Sequence, residues 1–109
     1  MLTGQAAAWD AYRAVAGGLL PALHAHRVDS RPVTAQLGAV ASRIVRYSPL
    51  WGEHGPMLVA ALHNAMRYYR AGDHAELTDL AYAIGDRLYL LSAAPAQPRP
   101  DDDAAPPQP

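Results

Sequence analysis

The residues best equipped for chemistry in this 109-residue chain crowd into one stretch, WGEHGPMLVAALHNAMRYYR, from Trp51 to Arg70. Glu53 and His54 are adjacent in SPLWGEHGP, a run whose two glycines and two prolines mark a shaped connector. A carboxylate beside an imidazole raises the imidazole pKa and can serve as an acid/base pair near neutral pH. His63 is a third candidate for proton transfer. Arg67 and Arg70 carry the planar, permanently charged groups that suit recognition of an anion. One adjacent Glu-His pair is nonetheless a weak signal, strengthened only by its place in a loop, where functional groups collect.

Other chemistries find less support. His24 and His26 are two apart, so on a helix they point about 160° away from each other and cannot chelate one ion. His63 has Arg67 rather than a ligand four residues on, and His-Glu-x-x-His is absent. A metal would have to be assembled across helices, for instance from Glu53, His54 and His74, and haem would hang on a single histidine. We therefore expect no metal and no cofactor. Ser30, Ser42, Ser48 and Ser92 lie outside any Gly-x-Ser-x-Gly context. With no cysteine there is no thiolate nucleophile, disulfide or Fe–S cluster. Phosphate-loop and dinucleotide fingerprints are missing. Whether the chain is an enzyme stays open, leaning to no, with Glu53, His54 and His63 as the weak catalytic candidates.

Four helices must position these groups. Trp9, Tyr12, Ala16, Leu19 and Leu23 recur at three- and four-residue spacings and predict a helix over 4–27, with this set as its buried face. Pro21 lies inside it, next to Gly17 and Gly18, and predicts a kink, because proline lacks the N–H and crowds the carbonyl four residues back. A second helix is expected over 32–47, capped by Asp29 or Ser30 and lined by Val33, Leu37, Val40, Ile44 and Tyr47. A third spans 56–71 and stops at Gly72. A fourth spans 73–93, opens on Asp73 with Glu76 three residues later, and is lined by Leu77, Leu80, Ala81, Ile84, Leu88 and Leu91. No strand-length alternation occurs. Short connections between helices favour a compact, all-α four-helix bundle. Trp51 is expected to plug its end.

Residues 94–109, APAQPRPDDDAAPPQP, hold six of the ten prolines, three consecutive Asp and no large apolar side chain. That composition predicts a disordered tail after one helical domain over 1–93. Every basic residue is Arg, alanine makes up about a fifth of the chain, and both facts fit a GC-rich coding sequence. The net charge of −1 argues against nonspecific nucleic-acid binding. Arg43 and Arg46 on the second helix do not make a dense reading face for DNA. No secretory leader and no run of about 20 apolar residues is present, so the expectation is a soluble, cytoplasmic protein with no membrane span.

Geometry then divides the opening stretch. On the third helix, Leu58, Ala61, Leu62, Ala65 and Tyr69 face the core. His63, Arg67 and Arg70 fall within about 60° of one another on the other side. Val59 and Met66 lie beside them, and Arg and Met are both enriched in interface patches. On the fourth helix Tyr82 and Tyr89 flank Gly85 about 120° from the main stripe, which marks either close packing inside the bundle or a dimer face. The leading expectation is a protein-interaction or accessory protein, a homodimer, that docks through Val59, His63, Met66, Arg67, Arg70, Tyr82 and Tyr89, with Leu90 adding apolar surface. The Asp triad of the tail could visit the arginines. The alternative is a small-molecule-binding protein or minimal enzyme, its pocket walled by Trp51, Tyr69, Tyr82 and Tyr89 around His63 or His54 with Glu53.

Overall fold

The first helix does not bury its largest residues. In the computed structural model, which describes residues 2–93, the N-terminal rod consists of α1 (Gly4–Ala14), a π-helical turn (Val15–Leu19) and α2 (Leu20–Ala25). It is followed by α3 (Arg31–Tyr47), a 3-10 turn (Ser48–Trp51), α4 (His54–Ala71) and α5 (His74–Ser92). The rod, α3, α4 and α5 make an all-α globule of four helices. The tail expected over 94–109 lies outside the described residues.

The side of α1 that packs inward is made of Ala7, Ala8, Ala11 and Val15, all fully buried, while Trp9 stays 46% exposed and Tyr12 and Ala16 are half-buried. The expected core face is thus corrected for Trp9, Tyr12 and Ala16, and holds for Leu19 and Leu23. The cause is close approach. A Cβ placed on Gly85 of α5 would stand 3.2 Å from Cγ1 of Val15, so α1 and α5 meet across small side chains with no room for rings between them. Gly85 therefore serves packing within the bundle.

The kink expected at Pro21 takes the form of the π turn just before it. The Leu20 N–H donates to the Val15 carbonyl five residues back, and Pro21 has no N–H to continue the ordinary pattern. The wider turn also sets phase. Ala11, Val15, Leu19 and Leu23 are each four apart, a spacing that drifts about 40° per step in a regular α-helix. One π turn absorbs part of that drift, and all four stay in the core.

The other helices follow their apolar stripes. Val33, Leu37, Val40, Ile44 and Tyr47 are all buried on α3. On α4 Leu58, Leu62 and Ala65 are buried, and on α5 Leu77, Ala81, Ile84, Gly85 and Leu88. Thr3 Oγ1 accepts from the Ala6 N–H at 3.0 Å, and the Ser30 and Asp73 side chains cap α3 and α5 in the same way. At the end of α4, Gly72 takes φ +72°, and the N–H groups of Gly72 and Asp73 donate to the Tyr69 and Tyr68 carbonyls. This left-handed stop reverses the chain in two residues. α4 itself starts two residues earlier than expected, at His54.

Each helix packs against its neighbours in a closed ring: the rod with α3, α3 with α4, α4 with α5, and α5 back on the rod. Side-chain contacts fix the directions. Asp10 meets Arg43 and Tyr47, Thr34 meets Tyr69, and His74 meets Leu23, so successive helices run antiparallel. Trp51 is buried under one end of the bundle, where its Nε1–H donates to the Gly4 carbonyl at 3.0 Å. No helix among the described residues is long and apolar enough to cross a membrane.

Candidate docking site

The rings that α1 cannot bury line up along its seam with α5. Trp9 stacks on Tyr12, with centroids 5.4 Å apart and planes at 29°. Tyr12 meets Tyr89 of α5 at 5.3 Å and 55°. Further along, Tyr82 of α5 tilts against His24, 5.9 Å between rings, and its hydroxyl shares a 2.8 Å hydrogen bond with His24 Nε2. Tyr82 and Tyr89 remain 46% and 50% exposed, and Leu90 beside them 64%. Tyr12 and Tyr82 bound a surface groove of about 390 Å³, floored by Ala16, Leu20, Pro21 and Gly85, with His24 and Asp86 at its edge. The arrangement is a row of half-exposed rings with a gap between two of them. Stacked aromatic pairs add about 0.5–1.5 kcal/mol beyond burial, so the rungs are held in place.

Behind α1 lies a second, more polar groove of about 530 Å³ toward α3, with Gly17 and Gly18 in its floor and Arg13, Gln36 and Arg43 around it. Its fixed point is Asp10, whose Oδ2 accepts from Arg43 Nε at 3.2 Å and from the Tyr47 hydroxyl at 2.8 Å. The bond to Asp10 raises the Tyr47 pKa above its usual 10.0, and burial and the Asp10 charge push the same way. These contacts tie the rod to α3.

The sequence-predicted residues are dispersed. Glu53 is exposed at the start of α4 and makes no capping bond. His54, the other half of that weak candidate pair, is half-buried, and its Nδ1 is buried without a hydrogen-bond partner. On α4, Val59 and Met66 pack half-buried against the core, while His63, Arg67 and Arg70 stand exposed. Among the described residues Arg67 reaches only Asn64 on its own helix, at 3.4 Å. The four rings offered as walls of one pocket face four neighbourhoods. Trp51 meets Tyr47 edge-on, Tyr69 bonds to Thr34, Tyr82 to His24, and Tyr89 packs on Tyr12. His74 donates from Nε2 to the Leu23 carbonyl at 2.6 Å and thereby pins the start of α5 to the end of the rod. Among the described residues no three His, Asp or Glu side chains converge as a metal-binding group.

Sequence reasoning found Tyr82 and Tyr89 and missed Trp9, Tyr12 and His24 as their companions. The signal was available in the alanines: Ala7, Ala8 and Ala11 run into Val15 at core spacing, and a helix that buries alanines turns its rings outward. No protein-family model matches this chain, and neither a curated protein nor a solved structure matches it significantly.

Proposed function

We propose that the protein is a helical interaction module that acts by docking through the α1–α5 seam. The observation that carries this reading is the row Trp9, Tyr12, Tyr89 and Tyr82, held by one another and by His24 yet about half open to solvent. Rigid aromatic side chains give a large contact area at low entropic cost and dominate binding hot spots. Leu90 extends the apolar surface, and His63, Arg67 and Arg70 on α4 offer a separate cationic contact for an acidic group on the same partner. Homodimerisation through Tyr82 and Tyr89 is a further use of the seam; light scattering at high concentration that finds only the monomer mass removes it.

Trp9→Ser with Tyr89→Ser tests the reading in the full chain. Capture of protein partners from the native cell should be lost while helical circular dichroism is retained. Unchanged capture sinks the proposal. The groove beside the His24–Tyr82 hydrogen bond supports a second reading, a small-molecule site with His24 as a polar contact at its edge. His24→Ala would then abolish ligand-induced thermal stabilisation but leave protein capture intact.

A further inference from the structure

We infer that the polar groove between the rod and α3 is a binding site for a small, singly charged carboxylate that also carries a hydroxyl or amide N–H. This site lies on the side of the rod turned to α3 and does not depend on the docking seam. Its volume of about 530 Å³ suits a small molecule rather than a single ion.

Charge sets the sign of the ligand. Asp10, Arg13 and Arg43 are the charged residues around the groove. Asp10 pairs with Arg43 at 3.2 Å and accepts from the Tyr47 hydroxyl as well, so this carboxylate is already occupied. Arg43 is held at a second point, where Nη1 donates to the Ala39 carbonyl at 3.1 Å. Arg13 differs from both: it is exposed and has no hydrogen bond, ion pair or ring contact among the described residues. It stands three residues after Asp10, about one turn along the same face of α1, and so borders the end of the groove where Asp10 holds Arg43. One positive charge there is unbalanced, and a single carboxylate balances it. A phosphate dianion would bring a surplus negative charge close to Asp10.

The floor asks for a hydrogen-bond donor as well. Gln36 of α3 lies over Gly18, so close that a Cβ on Gly18 would collide with the amide oxygen. That amide has no partner among the described residues and offers an acceptor and a donor to whatever enters. The π turn adds a second acceptor. The Leu20 N–H is given to Val15, and Pro21 has no N–H, so the Ala16 carbonyl lacks the donors four and five residues on that a helix would provide. Ala16 forms part of the same floor. Beside it, nothing stands within 4 Å of where a Gly17 side chain would begin, which leaves the backbone open to a ligand. Arg13 thus suits the carboxylate, and Gln36 with Ala16 suits the hydroxyl or N–H.

NMR titration of the isotope-enriched, full-length protein with three probes tests the site. L-lactate carries both groups, acetate the charge alone, and inorganic phosphate a higher charge. At constant ionic strength, L-lactate up to about 50 mM should give saturable shifts of the amides from Arg13 to Gly18 and of Gln36. Acetate should bind about threefold to tenfold more weakly, the worth of one net hydrogen bond. Arg13→Gln, a change at an exposed side chain, should weaken L-lactate at least about tenfold. Gly17→Leu should weaken it too by filling the open floor, with helical circular dichroism retained because no neighbour is displaced. No saturable shift, or equal shifts around the exposed Arg67 and Arg70 of α4, overturns the site. Acetate as tight as L-lactate overturns the donor requirement, and tighter phosphate overturns the single charge. L-lactate binding untouched by Arg13→Gln overturns the assignment of the carboxylate.

Discussion

The two tryptophans of this protein have opposite fates. Trp51 is 5% exposed, meets Tyr47 edge-on and donates its indole N–H to the Gly4 carbonyl. Trp9 is 46% exposed, and its ring stacks on Tyr12 at the surface. The difference lies in what the neighbouring helices can accept. The loop around Trp51 closes a bundle end, where a large ring fills space that the helices leave open. Trp9 sits on the rod that presses against Gly85, where small residues such as Ala7, Ala8, Ala11 and Val15 take the buried positions. Ring size decides for the interior at one site and against it at the other.

Substitutions can break or sharpen the contrast. Trp51→Ala should cost the most, about 3–5 kcal/mol as for other buried aromatic truncations, read as a lower urea midpoint. Gly85→Leu comes next. Forcing a side chain between α5 and Val15 should cost about 1–3 kcal/mol, and the same assay would show whether the small-residue contact really excludes bulk. Tyr47→Phe removes the hydroxyl that reaches Asp10 and should cost about 1 kcal/mol. The same bond sets a pH dependence. Tyr47 holds its proton more tightly folded than unfolded, so its contribution is fully present below pH 10 and is lost as pH rises through the raised folded value. Urea titrations above pH 10 should therefore show a loss of stability that Tyr47→Phe lacks. The smallest effect should belong to Trp9→Ala, about 1 kcal/mol, because the ring is already 46% exposed and its removal opens no buried cavity. A cost near that of Trp51→Ala would erase the contrast between the two rings.

Much of the architecture could be read from residue spacing. Val33, Leu37, Val40, Ile44 and Tyr47 are large enough to announce the buried face of α3, and Asp73 with Glu76 announces the start of α5. The rod misled because a helical projection gives weight to large apolar residues, whereas Ala7, Ala8 and Ala11 do the packing. Which rings of α1 meet which rings of α5 could not be read until the partner of α1 was known. Tyr12 and Tyr89 are 77 positions apart, and no spacing rule joins them. Val59 and Met66 show the same limit in reverse: one helix's geometry put them beside the arginines, but its neighbours bring core atoms around to meet them.

The packing of α5 on the rod has a consequence for how the molecule is made. This interface joins two elements separated in the chain by α3 and α4, so its contacts are distant in sequence and slow to close. Before α5 is added, Val15 lacks the cover that Gly85 and its helix provide. At 5–20 residues per second, the nineteen residues of α5 take about 1–4 s to appear. Until then the face that α5 covers stays open, and substitutions that slow the docking of α5 should be felt first in yield rather than in the stability of the folded protein.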